Sequence, residues 1–564
     1  MRRVAMGLAA MLLLGACVSI PTSGPVEEHS AQAQRANPGV EIAPVPPATG
    51  ASPTLIVEGF LHAMATYERD FGVARQYLTP EAGAQWQPEG GIAIYREGFP
   101  PVVSETGAVL TAPLVGRTDA AGVFTRGEGD LLHDFGLVQD AQQQWRISKP
   151  PSGLLVSQYL FASTYSQVNV SFWDRELAMM VPDPRFLPKG QHELEAAVSA
   201  VLGGPSAWVA PIARPPFGPA LTVESVELSG SGVARIELTP GSLPAADVRE
   251  RLLGELAWSL AGMDGVVAVR VSSGSTVWPF GTGETASTAD FAQANPARPA
   301  SSSQVFALVK GGLNRVTDVT GTPELAPVAP ALTRIDSFAI RRDNTQYAAV
   351  TDGRTRVRTV APGQPTSALA LSGRGLLRPQ YSRQGELWIG SDEAAESRVT
   401  VIAGNKQLPV VLEGVPPGGL RAVRLAPDGL RAVLVVGSER ASRIGVARVE
   451  RTGDGIRVTG WRDLMDVIAS TTEPTEFRDA VWSSPTSILL LTSDKQGTQV
   501  LSMDSEGLEN HDIGPGRAIS LSGLTMNPGA PGLAISSDGV VYRLYGEFTW
   551  GPIITGVDGV NYPD

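Results

Sequence analysis

Cysteine is all but missing from this chain. Cys17 is the only one in 564 residues, so no internal disulfide can close and no thiolate zinc or iron–sulfur cluster can be built. Histidine is nearly as rare. His29, His62, His133, His192 and His511 include no i, i+4 pair and no His-Glu-x-x-His pattern, so each reads as an incidental surface or structural residue. A Gly-x-Ser-x-Gly elbow, a Walker loop and calcium-loop spacing are missing too. Lysine occurs only at Lys149, Lys189, Lys310, Lys406 and Lys495; beside abundant Ala, Gly, Val and Pro this reads as codon bias without functional content. Acids exceed bases, 57 against 45, for a formal net charge of −12. A general nucleic-acid binder, which needs clustered positive charge, is thereby excluded. Gly (62) and Pro (44) stay below the roughly 25–30% of unstructured low complexity, so most of the chain should fold. At roughly 100–200 residues per domain, the length suggests about three domains.

Met1-Arg2-Arg3 is a short cationic start, and residues 4–16 are all apolar or small. That run is too short to span a hydrocarbon core, which takes roughly 20 apolar residues, and it fits the apolar region of a secretory signal. It ends Leu14-Gly15-Ala16-Cys17, which resembles a bacterial lipobox. The resemblance implies a signal peptide over 1–16, cleavage before Cys17, and lipidation of that cysteine by an S-diacylglycerol and an N-acyl chain such as palmitate. Two or more acyl chains anchor a protein stably where one does so marginally. No later segment approaches 18 uninterrupted apolar residues, so the lipid would be the only membrane attachment. Residues 17–51 read as a tether: Pro21, Pro25, Pro38, Pro44, Pro46 and Pro47 punctuate a stretch with no periodicity.

Three folded blocks follow. In 52–160, Ser52-Pro53 is an N-cap followed by proline at the first helical position, and Ile56, Phe60, Leu61 and Met64 share one face. A second short helix with Val73, Ala74, Tyr77 and Leu78 inward precedes strand-like pieces around 91–95, 108–115, 131–138 and 144–147. Helices followed by an antiparallel sheet give an α+β pattern, similar to the cone-shaped nuclear-transport-factor-like fold. In 161–280 the order is β-α-β-β-α-β, from the alternating Val168, Val170 and Phe172 to Val267, Val269 and Val271. The run 187–208, the strand 232–238 and the helix leading into Gly265-Val-Val-Ala-Val269 resemble the GerM-type domain, an α+β module without an established catalytic motif. Residues 281–301, rich in Thr, Ala, Ser, Gly and Pro, read as a linker. In 302–564 strand–turn–strand units recur, with turns at Asn344, Gly385, Gly429, Thr486 and Gly539, 41, 44, 57 and 53 residues apart. This is the spacing of an all-β propeller of about six blades; the rival, a pair of β-sandwiches, predicts no recurring unit.

Asp343, Asp428 and Asp538 sit in repeat turns, where short acids cap the backbone. Gly203-Gly204-Pro205 terminates a helix; as a phosphate loop it would face an anion with the wrong end of the dipole. The arginines at 341–342, 354–358 and 440–448 read as solvated strand faces, with contact to an acidic partner or anionic wall polymer as the alternative.

The start Cys17-Val-Ser-Ile-Pro-Thr-Ser-Gly-Pro25, the pieces Phe60-Leu-His-Ala-Met64 and Ala74-Arg-Gln-Tyr-Leu-Thr79, and the GerM-type core before a propeller together resemble the actinobacterial LpqB lipoprotein family. The resemblance covers essentially the whole chain. It implies a membrane-anchored, extracytoplasmic accessory of the MtrA–MtrB two-component system that contacts the extracytoplasmic part of the sensor kinase MtrB and acts on envelope homeostasis and division. It implies no enzyme activity, catalytic residue, cofactor or metal. Two other classes stay open: a receptor for a wall component or small ligand, using the cone-fold pocket or propeller mouth, and a propeller hydrolase, which would need convergent acids or a nucleophile–base pair.

Overall fold

Ser52 caps the first helix, as its position before a proline predicts: its Oγ accepts from the Leu55 N–H at 3.4 Å, and Pro53–Ala65 is helical. The computed structural model describes residues 44–564 except 67, 69, 105–106, 216–220, 240–242, 298–303, 318–322, 394–397, 439–440, 466–475 and 509. Leu14, Gly15, Ala16 and Cys17 lie outside the described residues. Pro46–Asp564 forms one compact unit.

The helix Pro53–Ala65 buries Ile56, Val57, Phe60 and Met64. Phe60 meets Tyr77, Trp86 and Phe135 at ring-centroid distances of 6.5, 5.5 and 6.4 Å. The long strand Gly107–Thr118 carries Ile92–Tyr95, Val102–Ser104, Phe124–Arg126 and Asp130–Asp134 as antiparallel partners. One strand departs from the antiparallel expectation, because Leu154–Ser157 returns parallel to Ile92–Tyr95.

The middle block differs from its sequence reading in one respect. Its first strand, Tyr165–Trp173, is not part of the four-stranded sheet formed by Thr222–Leu228, Val233–Thr239, Ala268–Ser273 and Thr276–Val277. It pairs only with Met180–Pro188, a strand concealed in the sequence by Pro182, Pro184 and Pro188. Those prolines fall on alternate residues, so the missing N–H groups all lie on the edge facing away from the ladder, where a strand tolerates them. Phe186, in the same phase, donates its N–H outward to Gly122 O at 2.8 Å. The opposite edge of the pair is covered by the helix Ala246–Leu260: Ser259 Oγ accepts from Ser171 N–H at 2.8 Å and Glu255 Oε1 from Trp173 N–H at 3.3 Å.

Glu255 is 4% exposed, and burial pushes its carboxyl up to about 8, against the Trp173 N–H and the charge of Arg251. A raised carboxyl pKa stabilises the fold below the unfolded value near 4.5, and that contribution is lost as pH rises through about 8. Glu255→Gln keeps an acceptor for Trp173. It should flatten the stability profile between pH 5 and 9 and exceed the parent at pH 9 by on the order of 1–3 kcal/mol, measured by urea unfolding at both pH values. Equal slopes for parent and variant would refute this.

The segment 281–301 is not the free linker its composition suggests. Of its described part, Ala286, Phe291 and Ala294 are buried in the core of the middle block, and Phe291 packs on Phe280 and Trp173 at 5.4 and 6.2 Å. Small residues and turns let the segment hug a surface as readily as they let it swing free, and a single aromatic decides between the two.

Six sheets make up the propeller. The first blade joins Val305–Val309, Gly312–Val316 and Leu325–Pro327 to Gly559–Asn561 from the far end of the chain, with Leu308 opposite Gly559. The next two run Ile335–Ile340 to Ala368–Ser372 and Gln380–Tyr381 to Lys406–Leu408. The fourth is five-stranded, because Val410–Leu412 adds parallel to Gly455–Asp463. The fifth and sixth run Glu476–Ser484 to Asn510–Asp512 and Leu521–Thr525 to Thr549–Thr555. Asn344, Gly385, Gly429 and Thr486 connect first and second strands of their blades, but Gly539 connects the second and third strands of the sixth. The equivalent turn there holds Gly529, with φ +81°, 43 residues after Thr486. The fourth interval, 53, therefore compares two different turns, whereas the interval of 57 reflects the long strands of the fourth blade.

Candidate functional site

Two places gather charged and aromatic side chains: the mouth of the propeller axis and the seam between the propeller and the two preceding domains.

The innermost strands end at the mouth, which Arg342, Arg378, Gln380, Tyr381, Arg383, Arg424, Trp482, Asn527 and Asp564 help to line. At its base, Asp479 binds Arg378 and Arg424 at 3.3 and 3.2 Å and accepts the Leu524 and Ala480 N–H groups at 3.1 and 3.0 Å. Arg424 also donates to Val423 O at 2.8 Å, while its buried Nε has no protein partner. Burial, with Arg378 as a like charge beside it, brings Arg424 down to about 10, against the pull of Asp479 and Asp564. Gln380 pairs with the Leu425 backbone at 2.7 and 3.3 Å. Asp564 reaches into the mouth and accepts the Tyr381 N–H at 3.0 Å; burial raises its carboxyl to about 7, although Tyr381, Arg378 and Arg424 oppose the rise.

The seam centres on Trp208, which follows the helix-ending Gly203-Gly204-Pro205. Gly204 there has φ +84° and accepts from Arg185 Nη2 at 3.0 Å, as a helix stop rather than a phosphate loop. Trp208 packs against the core of the middle block and that of the fourth and fifth blades. Its indole N–H donates to Gly460 O at 2.7 Å, and the guanidinium of Arg462 lies 4.3 Å over the ring with that of Arg448 at 5.6 Å. Arg448 also donates to Trp208 O at 3.0 Å, so it is an interdomain strut rather than part of a solvated strand face. Arg462 pairs with Glu506, whose carboxyl burial raises to about 7 against that pairing. Further ties are Asn169 Nδ2 to Thr486 Oγ1 at 3.1 Å, Arg126 to Gly507 O at 3.1 Å and Arg383 to Asn295 O at 2.7 Å. Leu508 enters the core of the first domain and Leu430 that of the middle one.

The turn acids do what their type predicts. Asp343 accepts the Thr345 N–H at 3.0 Å, Asp538 accepts from Ser536, and Asp428 caps Leu430 N–H at 2.9 Å. Asp428 goes further: fully buried, it also pairs with Arg431, a cation equally hidden. His133 bonds Lys149 O at 3.0 Å, and burial lowers its pKa; His62, His192 and His511 lie on separate elements. His29 lies outside the described residues. Among the described residues no cluster of His, Cys, Asp or Glu could hold a metal ion. No described helix is long and apolar enough to cross a membrane. The Asp479 network and Trp208 were not evident in the sequence, since their partners lie scores of residues away.

Three models of known domains match the chain. Residues 46–162 match the model of the N-terminal domain of lipoprotein LpqB, 162–275 that of the sporulation and spore germination domain Germane, and 308–561 that of the LpqB β-propeller domain. The chain belongs to the LpqB lipoprotein family. A lipoprotein LpqB of Cutibacterium acnes is 28% identical over 99% of this chain and 98% of its own length. Another, from Streptomyces avermitilis, is 25% identical over 99% and 97%. Among solved structures, TolB from Acinetobacter baumannii overlaps 60% of this chain and 82% of its own at TM-score 0.35 and 13% identity. Membership in the LpqB family makes the chain a membrane-anchored lipoprotein of the envelope, with a GerM-type module and a propeller.

Proposed function

We propose that the chain is a non-enzymatic accessory of the MtrA–MtrB two-component system, held by lipids on Cys17 at the extracytoplasmic face and contacting the extracytoplasmic part of the kinase MtrB. Its effects would fall on envelope homeostasis and division. The observation that supports this reading is the seam: Trp208, Arg448 and Arg462 join the middle domain to the propeller, Arg126 and Leu508 join the first domain to it, and the resulting body presents a composite surface to a partner. Confinement to the membrane plane raises effective concentration, so modest contact energy suffices.

Two results are expected together. Cys17→Ala should move the protein from the membrane to the soluble fraction and weaken MtrA-dependent transcription, and the purified chain should capture the kinase ectodomain. Normal fractionation and signalling by the variant would defeat the anchor; absence of capture at high micromolar concentration would defeat the partner.

A second reading, a receptor for a wall component or small ligand, is favoured by the arginine-lined mouth. Sedimentation of the chain with isolated cell wall tests it.

A further inference from the structure

We propose that the propeller mouth is a carboxylate-binding site for an acidic residue on an extended peptide, and that Asp564 occupies this place from within the chain. Four arginines, Arg342, Arg378, Arg383 and Arg424, line the mouth, and Asp564 is the one acid among the lining residues. Beneath them Asp479 is shared between Arg378 and Arg424, so a single negative charge serves two cations. Arg424 is 7% exposed, and its Nε is buried without a protein partner. Burial first, and then the like charge of Arg378, depresses the pKa of Arg424 in spite of Asp479 and Asp564. A site of this composition attracts an anion, and the planar donors of arginine favour a carboxylate.

The chain itself shows the form of the occupant. From Asn561 onward it runs inward; the side chains of Asn561 and Tyr562 anchor it to Phe338 O and Pro531 O, and past them the backbone itself is held. Tyr562 N–H donates to Thr525 Oγ1 at 3.3 Å, Asn527 Nδ2 to Pro563 O at 2.5 Å, and Asp564 N–H to Ile340 O at 2.8 Å. The Asp564 carboxylate then accepts the Tyr381 N–H at 3.0 Å. Main-chain bonds of this kind do not depend on side-chain identity, so an unrelated peptide with an acid at the same place could make them. Arg383, on the wall, also donates to Asn295 O and Gln293 O at 2.7 and 3.2 Å, which ties the rim to the segment following the middle domain. A ligand in the mouth therefore touches a residue that also bonds that segment. The proposal needs only the propeller and its rim, and it stands whether or not the kinase is the partner.

The test uses the full chain and its Asp564→Ala and Asp564→Asn variants, titrated by calorimetry at low salt with acetyl-Pro-Asp-amide, acetyl-Pro-Asn-amide and acetyl-Pro-Ala bearing a free α-carboxylate. Asp564→Asn retains an acceptor for Tyr381 and serves as the folding control, with thermal melting run on all three proteins. We expect Asp564→Ala to bind the aspartyl peptide at least tenfold more tightly than the parent, and the asparaginyl peptide to give no saturable heat. Binding of the free-acid peptide as tightly as the aspartyl one would assign recognition to any carboxylate, and weaker binding would assign it to the side chain. If a natively melting Asp564→Ala variant binds the aspartyl peptide no better than the parent, or binds the asparaginyl peptide equally well, the proposal is wrong.

Discussion

Asp479→Ala should lower the melting temperature of the propeller by roughly 10 °C or more. Asp479 lies on the first strand of the fifth blade, is 7% exposed, and accepts from four donors on different parts of the ring. Leu524 belongs to the sixth blade, Arg424 to the fourth, and Arg378 leads into the third. Removing the carboxylate leaves two guanidinium groups at the axis with no counter-charge at their base. Breaking a buried ion pair from one side costs about 3–5 kcal/mol, because the remaining charge stays desolvated. For a fold of this size each kcal/mol moves the midpoint by roughly 2–4 °C. Asp479→Asn, which retains an acceptor for the Leu524 N–H, should fall between the two. Differential scanning calorimetry reads the result, and an alanine variant melting within 2 °C of the parent would show that the network is energetically idle.

Trp208→Ala should uncouple the propeller from the rest. Among the described residues the indole is the one side chain that packs on both cores while stacking under two arginines and donating to Gly460 O. Its truncation removes the bridge and exposes Arg448 and Arg462, at a cost on the order of 2–4 kcal/mol, below the full value for a Trp in a closed core because the residue is only partly buried. The expected signature is two calorimetric transitions in place of one. Trp208→Phe keeps the ring beneath the guanidinium groups and should retain most of the coupling. A single unshifted transition in Trp208→Ala would place the coupling elsewhere, on Leu508 and Leu430.

Much of the architecture was legible because it rests on local rules. The Ser52-Pro53 cap, the 3.6-residue periodicity of Pro53–Ala65 and Ala246–Leu260, and the recurrent Asp-Gly turns each depend on neighbours within a few residues. Met180–Pro188 escaped because strand signals count proline as a breaker, and only the pairing phase shows that its prolines face an open edge. The Gly539 turn was placed one hairpin late because the sixth blade carries an Asp-Gly between its second and third strands. Arg448 looked like a solvated charge because nothing in 440–448 reports that Trp208, 240 residues earlier, lies against it. The mouth could be named from the propeller pattern, but its lining was invisible for the same reason, since its arginines stand in or beside strands whose ends meet only when the ring closes. The proposed lipid site is the opposite case: Leu14-Gly15-Ala16-Cys17 is a contiguous motif, and proposing it needs no fold.

That ring closes between strands made far apart in time. Val305–Val309 emerges first, and its partner Gly559–Asn561 some 250 residues later. A chain that emerges N-terminus first therefore completes its two leading domains while the propeller still has a raw edge at its opening blade. Until the final strand arrives, that edge is a template for any other strand, and the long sequence separation makes its proper capture slow. Loss of the strand Gly559–Asn561 would consequently do far more than shorten the chain. It would leave the barrel of blades unlatched, and degradation or aggregation of the newly made protein, rather than a change in binding strength, would be the first symptom.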